Sequence, residues 1–229
     1  MKIIILAAGI GSRLGNPFPK PLTPLKNGKT IMQQQVEKLI SYFSVDDISV
    51  IIGFKKDLIM ESFPDLSYIY NQSFDRTNTS KSLLKGLKKY PKSSILWLNG
   101  DVVFDEKILE HMLPYIAQDV SFVAVNNSDV GDEEVKYTLD KDGYINLISK
   151  EVKNGLGEAV GINFIANKDL SSFTNRLEEC GDMDYFEKGL ELAIQKDHIK
   201  VKAVDISKFN CVEVDFEEDL ENANKLFSK

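Results

Sequence analysis

The 229-residue sequence contains only two histidines and two cysteines. His111 and His198 lie in polar stretches typical of helices, so neither a Ser-His-Asp triad nor a histidine metal site is expected. Cys180 and Cys211 are far apart and form neither a metal-binding spacing nor a disulfide framework. These absences argue against hydrolases that use a histidine base and against zinc proteins.

The chain also lacks an excess of positive charge and lacks long apolar runs. Its formal net charge of -7 argues against a general nucleic-acid-binding protein, which needs a basic face. An anionic small ligand stays possible, because a few local cations can outweigh the overall sign. No apolar run approaches the roughly 20 residues of a membrane span, and the N-terminal run is too short for a signal peptide. We therefore expect a cytoplasmic protein with no nucleic-acid partner and no membrane insertion.

The first half of the chain alternates short apolar runs with helical patterns. "KIIILAA" is a continuous apolar run that ends in glycine, which predicts a fully buried strand of a parallel sheet. The runs "ISVIIGF", "LSYIYN" and "SSILWLNGD" predict three further strands, and the helix after the first strand begins after a plausible N-cap, Thr30. This alternation predicts an α/β fold with a doubly wound, Rossmann-like, mostly parallel mixed sheet flanked by helices.

The second half of the chain has a different order of predicted strands and helices. "VKYTLDKDGYINLISK" contains a "KDG" turn between two alternating runs and predicts a β-hairpin. Strands are predicted at "VSFVAVNNS", "AVGINFIA" and "IKVKAVDI", two helices precede the last of these strands, and a third helix follows it. Since no linker or repeat interrupts the chain, residues 1–229 are predicted to form one domain with an inserted hairpin subregion.

A loop of small residues follows the first predicted strand. Ligands of open α/β sheets bind at the carboxyl ends of strands, and consecutive backbone N–H groups in such a loop form a concave anion site. Arg13 adds a planar donor group that suits phosphate oxygens. Leu14 occupies the third glycine position of a dinucleotide fingerprint, and the Gly-Lys of a P-loop is absent. A simple tight turn is the alternative. The candidate anion-binding residues are Leu6, Ala7, Ala8, Gly9, Gly11 and Ser12.

Lys20 lies between Pro19 and Pro21. The two prolines restrict the backbone on both sides of the lysine. A lysine directed at developing negative charge benefits from such preorganisation, whereas a mobile surface lysine does not need it. An exposed lysine in a proline turn is the alternative interpretation.

These residues resemble a known family. "LAAGIGSRL" followed by "PKPL" is similar to the signature of the nucleotidyltransferases that make activated sugars and phospho-alcohols. The short stretch between Arg13 and Lys20 is most similar to that of the small CTP-dependent cytidylyltransferases of the phosphocholine type. The resemblance implies that Lys20 and Arg13 are catalytic. It also implies a nucleotide-binding half at about residues 1–125 and an acceptor-binding half at about 126–229.

The resemblance further implies the reaction. CMP would pass from CTP to a small phosphorylated acceptor, such as phosphocholine, a phosphorylated amino acid like phosphoglutamine, or a phosphonate, and pyrophosphate would leave. A sugar-1-phosphate nucleotidyltransferase that uses UTP or dTTP is one alternative. A nucleotide-binding or glycosyltransferase-like module without transfer activity is another.

Two aspartates follow apolar runs, Asp101 in "LWLNGD" and Asp215 in "CVEVD". Carboxylates at strand ends suit Mg²⁺, which takes one or two of them together with phosphate oxygens and water. Both aspartates also match the family's metal-binding positions, so the resemblance implies a Mg²⁺ cofactor. A turn role for Asp101 and a helix N-cap role for Asp215 are the alternatives.

The resemblance assigns the remaining site residues to two segments. In "FDRTNTSKSL", which faces the nucleobase in the family, the candidates are Asn78, Ser80 and Ser82, with Ser80 or Thr79 as a helix N-cap as the alternative. In the hairpin segment, Lys136 and Lys150 would meet the acceptor's phosphate and Glu158 would suit an amine or ammonium group. Solvated hairpin lysines are the alternative. Tyr137 and Tyr185 are the nearby aromatic residues that could contact a quaternary ammonium group of an acceptor.

Overall fold

The computed structural model describes residues 1–128 and 134–226, with only the backbone of Ser12. The strands are β1 Lys2–Ala7, β2 Ile48–Ile52, β3 Ser67–Tyr70, β4 Ile95–Asn99, β5 Val102–Phe104, β6 Phe122–Asn126, β7 Lys136–Leu139, β8 Ile145–Ser149, β9 Glu158–Ile165, β10 Lys202–Asp205 and β11 Cys211–Glu213. The helices are α1 Ile31–Ile40, α2 Lys56–Ser62, α3 Thr79–Lys89, α4 Lys107–Ala117, α5 Asn167–Glu179, α6 Phe186–Asp197 and α7 Glu217–Lys225.

The main sheet is mixed, and its central strands are parallel. Its order is β10-β6-β9-β4-β1-β2-β3, with the hairpin β7-β8 attached through β9. Strand β1 pairs in parallel with β2 and β4, whereas β9 runs antiparallel to β4 and β6. The predicted fold class and the predicted hairpin are both confirmed.

Helices cover both faces of the sheet because its central strands are apolar on both sides. Ile3, Ile4 and Ile5 of β1 are each 0% exposed. Ile3 and Ile5 belong to the core that includes α1, α2 and α4, while Ile4 belongs to the core with α3, α5 and α6. In the second core, Trp97 of β4 stacks on Phe173 of α5 with ring centroids 5.6 Å apart. Burial of this kind contributes about 25 cal/mol per Å² of apolar surface and holds the strand ends in fixed positions.

A second, two-stranded sheet was not predicted. Strand β5 pairs antiparallel with β11, and the predicted strand "SSILWLNGD" ends at Asn99. The sequence pattern did not separate β4 from β5, because only Gly100 and Asp101 lie between these two apolar runs. In this small sheet Glu213 pairs with Val102, so the segment that precedes Asp215 lies beside the turn that carries Asp101. In the described part of the chain, no helix combines the length and apolar character needed to cross a membrane.

Candidate active site

A cleft of about 340 Å³ lies at the carboxyl ends of β1 and β4. It collects residues that are far apart in the sequence, as expected for the ligand crevice of an open α/β sheet. Most of the residues predicted from the sequence line it. They are Leu6, Ala7, Ala8, Gly9, Gly11, Arg13, Lys20, Asn78, Ser82, Asp101, Lys150 and Asp215. The predicted Ser12 side chain lies outside the described atoms.

Gly11 gives the loop after β1 its close fit to Lys20. Its φ of +64° lies in the left-handed region, and a Cβ atom there would be 2.7 Å from the Cβ of Lys20. That distance is shorter than real Cβ contacts allow, so any side chain at position 11 would displace the lysine. The glycine therefore serves the placement of Lys20 as well as the turn itself.

We expect Gly11→Ala to lower kcat/KM by at least about tenfold, because a displacement of about 1 Å at a catalytic group can cost more than that. The backbone strain itself should lower the free energy of unfolding by about 1–2 kcal/mol. Gly15→Ala is the matched control, since Gly15 has the same φ of +64° and no atom within 4 Å of an added Cβ. Equal losses of activity in the two variants would contradict the positioning role of Gly11.

Lys20 begins a short 3₁₀ helix, Lys20–Leu22, and its side chain is only 11% exposed. The Nζ atom donates to Oδ2 of Asp101 at 2.6 Å and also to Oδ1 of Asp215. Burial lowers the pKa of Lys20, but the charges and hydrogen bonds of Asp101 and Asp215 outweigh burial and raise the pKa above its ordinary value. Lys20 is therefore a fixed cation between two carboxylates.

Two buried glutamines of α1 hold the turn that carries Asp101. The Nε2 atom of Gln35 donates to the carbonyl oxygens of Asn99 at 2.9 Å and Val102 at 2.8 Å. The Nε2 atom of Gln34 donates to the same Val102 oxygen at 3.0 Å. Sequence reasoning missed both residues. The available signal was the polar run "QQQ" inside an otherwise amphipathic helix, since buried amides require partners.

Asp215 is not the N-cap of α7. The carboxylate of Asp219 accepts the backbone N–H groups of Asp215 at 3.0 Å and Phe216 at 2.7 Å. The Asp215 carboxylate instead contacts Lys20 and accepts from Arg13 at 2.7 Å. Burial raises the pKa of Asp215, but the hydrogen bond and charge of Lys20 together with the charge of Arg13 bring it below its ordinary value.

A third carboxyl group, Glu213, also lines the cleft and was missed by sequence reasoning. Its Oε1 atom accepts from Nδ2 of Asn99 at 2.9 Å. Burial, reinforced by the negative charge of Asp101, raises the pKa of Glu213 well above its ordinary 4.5. This shift favours a neutral carboxyl group at Glu213.

The pair of aspartates fits the chemistry of a magnesium site. Oδ1 of Asp101 is buried and has no hydrogen-bond partner among the described residues. Within residues 1–128 and 134–226, no group of three or more histidine, cysteine, aspartate and glutamate side chains is arranged to hold a metal. Two carboxylates are nevertheless enough for Mg²⁺, which takes its remaining ligands from phosphates and water.

Asn78 lines the cleft and is the N-cap of α3. Its Oδ1 atom accepts the Thr79 N–H at 2.8 Å, and its Nδ2 atom donates to the Met183 carbonyl oxygen at 3.3 Å. The alternative that Thr79 or Ser80 provides the cap is therefore wrong. Both polar ends of the Asn78 amide have partners within the protein, which limits the groups it offers to a nucleobase.

The two predicted serines of α3 lie in different surroundings. Ser82 lines the cleft, and its hydroxyl group accepts from Nδ2 of Asn71 at 3.0 Å. Ser80 is fully buried and does not belong to the cleft lining. The two serines are two residues apart on α3, and the i and i+2 positions of a helix do not share a face.

Of the three residues predicted to bind an acceptor, Lys150 lines the cleft, whereas Lys136 and Glu158 do not. Lys136 and Glu158 are paired residues of β7 and β9, and Oε1 of Glu158 accepts from Nδ2 of Asn126 at 3.4 Å. Tyr137 is buried and donates its hydroxyl hydrogen to Oδ1 of Asn127 at 2.8 Å.

The cleft wall beside Lys150 is instead formed by α6 and the residue before it. Tyr185 and Glu187 both line the cleft. The Nζ atom of Lys150 lies 5.1 Å from the centroid of the Tyr185 ring. This wall of the cleft therefore presents a cation, an aromatic ring and a carboxyl group, of which sequence reasoning identified Lys150 as a site residue.

Comparison with known families identifies one match that covers most of the chain. The MobA-like NTP transferase domain matches residues 3–178. This match includes β1, the glycine loop, Lys20 and Asp101, whereas Asp215 lies beyond it.

Relatives and solved structures with this fold carry several names. The chain is 33% identical over 162 residues to the bifunctional protein GlmU of Methanococcus maripaludis, covering 68% of this chain and 37% of that protein. It is 29% identical over 121 residues to the CMP-5'-(3-aminopropyl)phosphonate synthase of Streptomyces rubellomurinus, covering 49% of this chain and 19% of that protein. The CTP:phosphocholine cytidylyltransferase LicC of Streptococcus pneumoniae shares the fold with a TM-score of 0.76, 17% identity and 99% of both chains covered. The chain thus aligns with well under half the length of these two curated relatives.

Proposed function

The chain belongs to the family of MobA-like NTP transferases, and on this premise we propose that it is a CTP-dependent cytidylyltransferase. It would transfer CMP from CTP to a small phosphorylated acceptor and release pyrophosphate. The observation that carries the proposal is the position of Lys20 between Asp101 and Asp215, beside a glycine loop suited to phosphates.

The reaction needs positioning and charge stabilisation rather than a strong base. An oxygen of the acceptor's phosphate or phosphonate attacks the α-phosphorus of CTP, a new P–O bond forms, and the bond to pyrophosphate breaks. Because the acceptor is already ionised near neutral pH, no proton has to be removed. Neither His111 nor His198 lines the cleft, in agreement with this requirement.

Each residue then has a distinct role. The backbone N–H groups around Gly9 and Gly11, together with Arg13, bind the triphosphate. Lys20 stabilises the charge that develops at the α-phosphate, and its fixed position avoids reorganisation during the reaction.

Asp101 and Asp215 would hold Mg²⁺, and the buried, unpartnered Oδ1 of Asp101 supports this assignment. When bound, the ion neutralises phosphate charge in the way common to phosphoryl-transfer sites. In the structure itself, the ammonium group of Lys20 provides the positive charge between the two carboxylates.

The choice of CTP and of a phospho-alcohol or phosphonate acceptor rests on similarity. One relative is named for a CMP-phosphonate product and one structural neighbour for CTP and phosphocholine. In this proposal, the half at about residues 1–125 binds the nucleotide and the half at about 126–229 binds the acceptor.

A pyrophosphate-release assay with a panel of substrates tests the proposal. CTP, UTP and dTTP should each be paired with phosphocholine, phosphoethanolamine, 2-aminoethylphosphonate, phosphoglutamine and glucose-1-phosphate. We expect release with CTP and a phospho-alcohol, phospho-amino-acid or phosphonate acceptor, with kcat/KM at least about tenfold above that for UTP. Release only with glucose-1-phosphate and UTP or dTTP would assign a sugar nucleotidyltransferase. No release from any pair would indicate a nucleotide-binding module.

A further inference from the structure

Glu187 is a buried carboxyl group in the cleft that the proposed transfer reaction does not use. It lies in the first turn of α6, lines the cleft and is only 8% exposed. Its Oε2 atom is buried and has no hydrogen-bond partner in the parts of the chain that the structure describes. Because an unpaired buried polar atom is energetically unfavourable, such an atom in a binding cleft indicates a missing ligand group.

The charges around Glu187 indicate what that ligand group is. Burial raises the pKa of Glu187 to about 7, against the opposing effects of its own backbone N–H and the positive charge of Lys150. Lys150 also acts on Asp215, whose pKa it helps to lower. The positive charge of Lys150 thus lowers the pKa of both Asp215 and Glu187, which line the same cleft.

An anionic acceptor group bound by Lys150 would offset the positive charge that favours ionised Glu187. The carboxylate would then need both a hydrogen-bond donor and a positive charge from elsewhere. A primary ammonium group supplies both. A hydroxyl group supplies only the donor, and a quaternary ammonium group has no N–H to give to Oε2.

We propose that Glu187 determines acceptor specificity by accepting a hydrogen bond from a primary ammonium group of a zwitterionic phosphate or phosphonate. This inference rests on the proposed function of the cleft, and it places the amine-recognising carboxylate at Glu187 instead of Glu158. Lys150 binds the anionic end of the same molecule. The aromatic ring of Tyr185, whose centroid is 5.1 Å from the Nζ atom of Lys150, lines the same cleft.

A purely structural role makes a different prediction. A glutamate in the first turn of a helix also interacts favourably with the helix dipole. Such a role would change the thermal stability of the protein without distinguishing one acceptor from another. Acceptor discrimination is therefore the readout that separates the two roles.

The test compares three acceptors that share a phosphate ester of a two-carbon chain: phosphoethanolamine, its trimethylated form phosphocholine, and ethyl phosphate, which lacks the nitrogen group. At saturating CTP, the wild-type enzyme should prefer phosphoethanolamine. Glu187→Gln should lower kcat/KM for phosphoethanolamine at least about tenfold, the size expected for one charge-assisted hydrogen bond, and should leave the other two acceptors within about twofold. The KM for CTP should not change.

Glu191→Gln is the matched control. Glu191 lies one turn further along α6 and is also 8% exposed, but it does not line the cleft, and its Oε1 atom accepts the Ile148 N–H at 3.2 Å. This variant should keep the wild-type order of acceptors. The proposal is overturned if Glu187→Gln affects all three acceptors equally, or if the wild-type enzyme uses ethyl phosphate as well as phosphoethanolamine.

Failure of the proposed function gives a different result. In that case the wild-type protein releases no pyrophosphate from CTP with any of the three acceptors. Calorimetric binding of phosphoethanolamine and ethyl phosphate to the wild-type protein and to Glu187→Gln then decides the role of Glu187. Tighter binding of the amine that the substitution abolishes would support the proposal, and equal or absent binding of the two compounds would overturn it.

Discussion

Replacing Lys20 by alanine should lower kcat by about a hundredfold or more, the loss typical when one preorganised donor to a developing charge is removed. The KM for CTP should change by less than about fivefold, because the glycine loop and Arg13 still bind the triphosphate. The physical reason is the position of the ammonium group, 2.6 Å from Asp101 and in contact with Asp215, on a side chain that is only 11% exposed. Steady-state kinetics with the preferred acceptor measures both constants.

Two further variants separate charge from packing at this position. Lys20→Met keeps the aliphatic stem that packs against Gly11 but removes the charge, so its kcat should fall as far as that of the alanine variant. Lys26→Ala removes an exposed lysine nearby in the sequence that does not line the cleft, and its kcat should equal the wild-type value. A Lys20→Met variant with near wild-type turnover would show that Lys20 has no catalytic role.

Replacing Asp101 by asparagine should have the second large effect. The carboxylate contributes a charge and the unpartnered Oδ1 atom, both of which a magnesium ligand needs and an amide provides poorly. We expect kcat/KM to fall at least about a hundredfold, by analogy with the loss of a key charge in phosphoryl transfer. The Mg²⁺ concentration that gives half-maximal rate should rise at least about tenfold, in line with losses seen when metal-site groups are altered.

Asp105→Asn is the matched control for this experiment. Asp105 lies four residues further along and is outside the cleft lining, and its Oδ1 atom accepts the Lys107 N–H at the start of α4 at 3.0 Å. Asparagine can accept the same N–H group through its Oδ1 atom, so the magnesium response should stay at the wild-type level. An unchanged magnesium response in Asp101→Asn would rule out Asp101 as a metal ligand.

The sequence predicted the fold well because its signals are local. The apolar run of β1 and the Thr30 cap of α1, whose Oγ1 accepts the Gln33 N–H at 3.1 Å, act over a few residues. The restricted backbone around Lys20 is likewise predictable from the two prolines that flank it. The cytoplasmic location and the division into two halves stay predictions.

The less predictable parts of the site depend on contacts between distant segments. Gln35 supports the Asp101 turn from 64 and 67 residues away. In the sequence, Glu187 is indistinguishable from an exposed glutamate in the first turn of a helix. Its burial results from tertiary contacts that the sequence pattern does not show. Lys136 and Glu158 carry suitable charges, but the pairing of β7 with β9 directs this pair away from the cleft lining.

Identification of the reaction product tests the central claim most directly. The wild-type protein should be incubated with CTP, Mg²⁺ and phosphoethanolamine, and the mixture analysed by ³¹P NMR and mass spectrometry. We predict a CMP-linked product with two coupled diphosphate signals, formed in equal amount to pyrophosphate and formed about a hundredfold or more slowly with Lys20→Ala. CTP that remains intact with every phospho-alcohol, phospho-amino-acid and phosphonate acceptor, or a nucleotide product formed only from a sugar phosphate, would contradict the account.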